Sequence, residues 1–437
     1  MWSRTGISCS SGSTSDAMRL LRAFLLPLLL TVGACAARHT PSSVEAAASS
    51  PSSLGAAAER RAPVTIFVSI DGFRPDYLDR AITPNLDALA AQGVKAAMRP
   101  SFPSKTFPNH YTLVTGLRPD RHGVIDNNME DPRRPGVLFK ISNAEANKAF
   151  WWDAAEPIWI TAEKQGIRTG TAMWPGAESA WGNRRPFAWI RYDQNITGRQ
   201  RVDTVLDWVR RPAASRPGFF TLYLDIVDTA GHDFGPDSAE VNAAVAEVDS
   251  ELGYLRRALE SMGQPANLVV VSDHGMESTS PERVVRVDRM VDPAAIHVVS
   301  DGPFMALAPV AGHEAEIEGK LLGRHPHFEC WRKSELPARF HYGRNPRVQP
   351  IFCLAEHGWL LYGREPPTPF DLGNHGYDNQ DPDMRALFLA AGPGVAHRAA
   401  PPVFDNVDVY SFVAGLAGVA PLANDGSAAT LAPFLRR

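Results

Sequence analysis

Basic charge, cysteine and long apolar runs are all in short supply in this chain. The 437 residues carry 44 Lys+Arg against 48 Asp+Glu, a formal net charge of −4. Without a basic excess there is no electrostatic footprint for a nucleic-acid polymer, so a small-molecule substrate is expected. Only 4 cysteines occur. Cys330 and Cys353 belong to no close Cys pair, which argues against a structural zinc site there. They could join in a disulfide in an oxidising compartment, or stay as two buried thiols. The apolar run from Ala23 to Val32 is too short for a stable transmembrane helix. No internal repeat is found.

That N-terminal run has another reading. Arg19 and Arg22 precede it and small residues follow, which is the layout of a secretory signal. Val32-Gly33-Ala34-Cys35 is similar to a bacterial lipobox. Residues 1–35 are therefore expected to be a signal ending at a lipidated Cys35, with an ordinary cleaved signal as the alternative. Residues 36–62, rich in Ala, Ser and Pro, read as a flexible tether, and 63–437 as the catalytic domain. The expectation is an exported, periplasmic monomer that touches membrane only through its N-terminal lipid.

What the chain does contain is short Val/Ile/Leu runs that end on an acid. Val64 to Ile70 runs into Asp71, Phe219 to Val227 into Asp228, and Leu268 to Ser272 into Asp273. Such runs read as buried strands of a mainly parallel sheet. Helical signals separate them. Thr83-Pro84 opens a helix through Ala91, and Ile158 to Gly166 reads as another. Val241, Val245, Val248, Leu252, Leu255 and Leu259 recur at helical spacing behind a capping box of Asp237 and Glu240. Ile167 to Met173, Trp359 to Tyr362 and Ala386 to Ala391 read as strands, and Asp405 to Gly418 as the last helix. This order predicts an α/β fold, a doubly wound and mostly parallel sheet flanked by helices. Ser101 to Thr115 is expected to start irregular and turn helical after Pro108. Residues 126–150 read as a polar loop, and the charged stretch 312–345 as a small cap insertion.

In open α/β sheets ligands gather at the carboxyl ends of the strands. Carboxylates crowded there repel one another unless cations lie between them. Asp71, Asp228, His232, Asp273, His274 and His375 make a mixed Asp/His set that suits zinc. Six protein ligands exceed what one open tetrahedral ion takes, but divide well between two. A hydroxyl attacks poorly unless a metal stabilises its alkoxide. Thr106, at the start of a helix, would also feel the positive end of the dipole.

Five segments then resemble one known family. They are Lys105-Thr106-Phe107-Pro108-Asn109-His110, His122-Gly123-Val124-Ile125-Asp126-Asn127, Asp228-Thr229-Ala230-Gly231-His232, Ser272-Asp273-His274-Gly275-Met276 and Gly373-Asn374-His375-Gly376-Tyr377-Asp378. In this order they resemble the nucleotide pyrophosphatase/phosphodiesterase (NPP) family of the alkaline phosphatase superfamily, from about Val64 to about Gly418. The resemblance implies an alkaline-phosphatase-like fold with two Zn2+ ions. One would be held by Asp71, Thr106, Asp273 and His274, the other by Asp228, His232 and His375. It implies that Thr106 attacks phosphorus and forms a threonyl-phosphate ester. Asn127 and the Thr106 N–H would donate to a phosphoryl oxygen. Phe107 would stack a base, with Tyr192 or Trp189 supplying the opposite face, and Trp174-Pro175-Gly176 would fix a pocket wall. Asn374, Tyr377 and Asp378 would orient His375, whereas His122 is read as structural. The substrate implied is a small nucleotide or related phosphodiester, cleaved to a nucleoside 5′-monophosphate. A glycerophosphodiester or lysophospholipid diesterase is the second expectation, and a metal-binding surface lipoprotein without turnover the third.

Overall fold

In the computed structural model the described residues are 61–436. The signal, Cys35 and all of the tether except Arg61 and Ala62 lie outside them. The central sheet has eight strands, ordered Phe404–Asp405, Val94–Arg99, Ala386–Ala391, Ala266–Val271, Val64–Ile70, Phe219–Leu224, Thr169–Ala172 and Ala188–Ile190. All its pairings are parallel except the two made by Ala386–Ala391.

Side chains alternate across a strand with period two. That alternation sends Phe67, Phe219, Val269, Val271 and Phe388 into one core, and Ile66, Val68, Phe220, Leu222, Leu268, Val270 and Leu389 into the other. Helices Thr106–Thr115, Ile158–Lys164 and Val409–Ala417 cover the first face. Helices Pro84–Ala90, Gly198–Arg210 and Ala239–Ser261 cover the second. With both faces covered, the central strands are buried almost throughout and mainly apolar, as expected of a doubly wound sheet. The six apolar residues predicted along the long helix, Val241 to Leu259, are all buried. Each contributes roughly 1.5–3 kcal/mol of transfer free energy, much of it offset by lost chain entropy.

Several local expectations need correction. The strand ending near Asp228 stops at Leu224, and Ile226–Phe234 is a helix with Asp228 in its first turn. Short apolar runs look alike in a buried strand and a buried helical turn, so periodicity could not separate them. The long helix is capped by Ser238, whose hydroxyl accepts the Val241 N–H at 3.1 Å, rather than by Asp237. The helix after Ser101 begins at Thr106, before Pro108. Proline is tolerated there because first-turn N–H groups have no partner within the helix. The strand Val94–Arg99 carried no readable signal, being short and interrupted by Lys95 and two alanines. Residues 126–150 include a hairpin of Asn128–Glu130 and Leu138–Lys140. Leu360–Tyr362 pairs with Val284–Arg286, apart from the central sheet.

Residues 312–345 fall within a second, antiparallel sheet of five strands. Its order is Ile296–Ser300, Phe304–Pro309, Ile351–Ala355, Phe328–Arg332 and Gly323–His325. Cys330 and Cys353 stand opposite each other on adjacent strands of this sheet and form a disulfide.

Candidate active site

The parallel strand Val64–Ile70 delivers Asp71 to its carboxyl end, and Ala266–Val271 delivers Asp273 and His274 beside it. The adjoining strand Phe219–Leu224 leads into the helix that carries Asp228 and His232 one turn apart. His375 follows the short strand Gly373–Asn374, which pairs with Glu277–Ser278. Chain segments far apart in sequence thus converge on one edge of the sheet. His274 is central to the convergence. Its Nε2 lies 2.9 Å from Asp273 Oδ2, 3.3 Å from Asp71 Oδ1 and 3.2 Å from Thr106 Oγ1.

The second group gathers around Asp228. His232 Nε2 lies 3.5 Å from Asp228 Oδ2, and His375 Nε2 lies 3.7 Å from Asp228 Oδ1. Two sets of donors are close enough to hold an ion each: Asp71, Asp273 and His274, and Asp228, His274 and His375. The implied division of ligands is therefore less strict in the structure, with His274 within reach of both positions.

All three histidines are held in the same way. His232 Nδ1 is 2.9 Å from the Gly373 carbonyl, His274 Nδ1 is 2.9 Å from the Gly275 carbonyl, and His375 Nδ1 is 2.8 Å from the Ser104 carbonyl. A carbonyl accepts only, so each Nδ1 carries the hydrogen and each Nε2 presents a lone pair to the site. This is how ligating imidazoles are oriented. The carboxylates agree. Asp71 Oδ1, Asp228 Oδ1 and Asp273 Oδ2 are buried and accept no well-formed hydrogen bond among the described residues, although His274 Nε2 faces two of them, Asp273 Oδ2 at 2.9 Å and Asp71 Oδ1 at 3.3 Å. Leaving an anionic oxygen in that state is costly unless a cation meets it. Burial, then the neighbouring Asp273 and Asp228 charges, pushes the Asp71 carboxyl well above the usual carboxylate range. Burial raises Asp228 as well. Burial acts on Asp273 in the same sense, but His274 and His110 outweigh it and hold that carboxyl well below its ordinary value. Burial, which disfavours the charged form, pushes the His375 imidazole well below its ordinary range. The donor set fits divalent metal ions.

Thr106 is the first residue of its helix, so its N–H faces away from the helical hydrogen bonds. The Phe107 N–H donates to Asn127 Oδ1 at 2.9 Å. Fastened by its oxygen, Asn127 has its NH2 group available for an incoming anion. The Phe107 ring sits 5.7 Å from Trp152 and 6.0 Å from Phe139. Tyr192 is 43% exposed, its hydroxyl donates to Asp225 Oδ2 at 2.6 Å, and its ring lies 6.1 Å from Tyr223. Arg185 stands over the Trp189 ring. Buried Trp174 donates to the His110 carbonyl at 3.3 Å, behind the helix of Thr106.

Other expectations change. Asn374 accepts the His375 N–H, but Tyr377 donates to the Trp359 carbonyl and Asp378 pairs with Arg339. The Ser104 carbonyl, rather than either of those two side chains, orients the His375 ring. His122 is buried against Thr112 and accepts the Val124 N–H, a structural placement. Tyr223 was not foreseen. Its hydroxyl donates to Asp71 Oδ2 at 2.5 Å and leaves Oδ1 for the site. His110 was also missed as a support. It bridges Ser69, the Thr106 carbonyl and, at 3.3 Å, Asp273. His110 closes the Lys105–His110 segment and Tyr223 lies inside the Phe219–Val227 run, and neither has a further signal in the sequence.

Gly72 shows how tightly the site is drawn. Its φ is +66°, and a Cβ there would meet Asp228 at 3.0 Å, while its N–H donates to Asp273 Oδ1 at 3.3 Å. Gly72→Ala is expected to cost roughly 1 kcal/mol or more in backbone strain. It should lower kcat by more than it lowers Tm-derived stability, because the displaced neighbour is Asp228. Kinetics and thermal unfolding of the same preparation check this.

Residues 65–378 match the family of type I phosphodiesterases/nucleotide pyrophosphatases. Bis(5′-adenosyl)-triphosphatase enpp4 of Xenopus laevis is 35% identical over 369 residues, covering 84% of this chain and 80% of that protein. Ectonucleotide pyrophosphatase/phosphodiesterase family member 5 of Homo sapiens is 34% identical over 365 residues, covering 83% and 76%. The solved structure of an inactive threonine-to-alanine variant of murine ectonucleotide pyrophosphatase/phosphodiesterase 5, in complex with AMP, aligns at 35% identity with a TM-score of 0.82. That alignment covers 86% of this chain and 100% of the other. Sheet, converging donors and relatives together lead to one assignment: this chain belongs to the type I phosphodiesterase/nucleotide pyrophosphatase family and is a hydrolase.

Proposed function

We propose that the protein cleaves nucleotide phosphodiester and pyrophosphate bonds, releasing a nucleoside 5′-monophosphate through a covalent threonyl-phosphate ester. The observation that carries this reading is Thr106 Oγ1, placed 3.2 Å from His274 Nε2 beside the buried carboxylates of Asp71 and Asp273, which face the same nitrogen. Asp71, Thr106, Asp273 and His274 would hold one Zn2+, and Asp228, His232 and His375 a second. Such ions supply Lewis-acid stabilisation of attacking and leaving oxygens in phosphoryl transfer.

The chain's own groups account for the rest. The Thr106 hydroxyl oxygen forms the bond to phosphorus while the bond to the leaving oxygen breaks. The nucleoside monophosphate held as an ester on Thr106 is later released by water, which restores the Thr106 hydroxyl. The Asn127 amide and Thr106 N–H hold a non-bridging oxygen, and the helix N-terminus favours the anion. Phe107 offers an apolar face to the nucleoside. AMP in complex with the inactive murine relative favours a nucleoside monophosphate as product. A panel of ATP, a dinucleotide, a cyclic nucleotide and glycerophosphocholine tests the reading. Turnover of glycerophosphocholine alone would replace it with the glycerophosphodiesterase alternative.

Asn127→Ala is expected to lower kcat by about 10²–10³-fold, the typical loss of one oxyanion donor. Zinc content should stay unchanged, as measured by metal analysis. The enzyme acts outside the cytoplasm, tethered through Cys35. Incorporation of labelled palmitate should be lost in Cys35→Ala, and equal labelling of both forms would refute the anchor.

A further inference from the structure

We propose that His357 is a positioning residue for the metal-ligand set, a crosslink between the chain segments that carry Asp71, Asp273–His274 and His375. The inference rests on reading those residues as metal ligands. His357 lies in the turn between strands Ile351–Ala355 and Leu360–Tyr362, outside every motif read from the sequence. Its Nε2 is 2.5 Å from Glu277 Oε2 and 3.5 Å from Asp383 Oδ2, and its Nδ1 bonds Asp381 Oδ2.

Glu277 and Asp383 each lead back to a ligand, and Asp381 accepts the Asp383 N–H at 3.1 Å. Glu277 is buried, stands three residues beyond His274 and pairs across strands with Asn374, the neighbour of His375. The turn at Asp383 grips the Asp273–His274 loop through its backbone. Its carbonyl accepts the Met276 N–H at 2.9 Å, and the Met384 carbonyl accepts the Gly275 N–H at 3.0 Å. Arg74, three residues beyond Asp71, pairs with Asp383 Oδ1 at 2.8 Å and donates to the Met276 carbonyl at 3.2 Å.

Glu277, His357 and Asp383 are close enough to one another to seat an ion of their own. Both ring nitrogens of His357 already face carboxylates, however, and Arg74 already pairs with Asp383. An imidazolium and a guanidinium therefore supply the positive charge that the carboxylates need. Such outer partners typically govern metal affinity by 10–100-fold when they are removed.

The test uses the zinc-loaded full chain. Zinc affinity is measured by chelator competition for the wild type, His357→Ala, Glu277→Gln and the double variant. His357 is nearly half exposed, so its truncation should leave the fold intact, and Glu277→Gln provides a second, isosteric probe. The expected result is a fall in zinc affinity of about 10-fold or more in each single variant. The double variant should fall little further, because both changes break one network. Turnover at limiting zinc should drop in step, and excess zinc should restore most of it. Zinc affinity unchanged in both single variants overturns the proposal. So does loss of a third zinc equivalent while the other two remain tightly held, which would make the cluster a metal site. A wild type that binds no zinc overturns both this inference and the reading of the site, and it does so before any variant is made.

Discussion

Thr106→Ala is expected to reduce turnover of a nitrophenyl nucleotide diester by about 10³-fold or more while zinc content stays close to the wild-type value. The separation follows from the geometry. Thr106 Oγ1 is 3.2 Å from His274 Nε2 and is the one hydroxyl that the helix Thr106–Thr115 offers at its first position. Removing it deletes the atom that bonds to phosphorus. Removal of a nucleophile generally leaves only the residual rate supplied by binding and oxyanion donors. The carboxylates and imidazoles that would hold the ions are untouched, since their supports are Tyr223, His110 and the carbonyls of Ser104, Gly373 and Gly275. Metal analysis and steady-state kinetics on one preparation decide the matter. Activity within tenfold of wild type would make a water molecule the nucleophile, and the covalent ester would have no place. Acid quenching during turnover of a substrate labelled in its nucleotidyl group should trap that group on the wild-type chain and none on the variant.

Asp273→Asn should have the second-largest effect and the opposite signature, losing activity because it loses metal. Asp273 is fully buried and faces His274 at 2.9 Å, His110 at 3.3 Å and the Gly72 N–H at 3.3 Å. An amide of the same shape preserves packing but offers no anionic oxygen. His274 and His110, which hold the carboxyl in its charged form despite burial, would then face a neutral group. The expected outcome is a fall of about 10³-fold in kcat/KM, with zinc content dropping towards one equivalent per chain. Unfolding should remain cooperative. Retention of both equivalents would show that Asp273 is not a ligand. Loss of both would show that the two positions depend on each other, as the placement of His274 between them allows.

The strands were legible because burial on both faces leaves them mainly apolar. Val64–Ile70 and Ala266–Val271 announce themselves in that way, and the acids that follow them mark the sheet edge. The start of the Thr106 helix was obscured by Pro108, which breaks a helix in its interior but not in its first turn. Asp228 was identified as a site residue although its element was misread. The reason is that Ile226 and Val227 continue the apolar run while the backbone has already changed from strand to helix. The second sheet escaped notice for a related reason. Its strands Gly323–His325 and Phe328–Arg332 mix charged and apolar residues, and only the second of them pairs with Ile351–Ala355, across an intervening segment of sequence.

The supports of the site were the least visible. Backbone carbonyls such as Ser104 and Gly373 have no side-chain signature, and their value lies only in where the fold puts them. Tyr223 reads as one more apolar strand residue until the neighbouring strand places Asp71 within reach of its hydroxyl.

Residue chemistry pointed to candidate participants, acids near strand ends and imidazoles that bind metal when neutral, and the family resemblance singled out a hydroxyl at a helix start where an anion is welcome. Those properties are local and survive in a linear reading. Which nitrogen of each imidazole faces the site, which carboxylate oxygens stay unpartnered, and how His274 comes to stand between two groups of ligands were decided only when distant segments packed together. Orientation depends on partners in three dimensions, and a sequence lists neighbours in one.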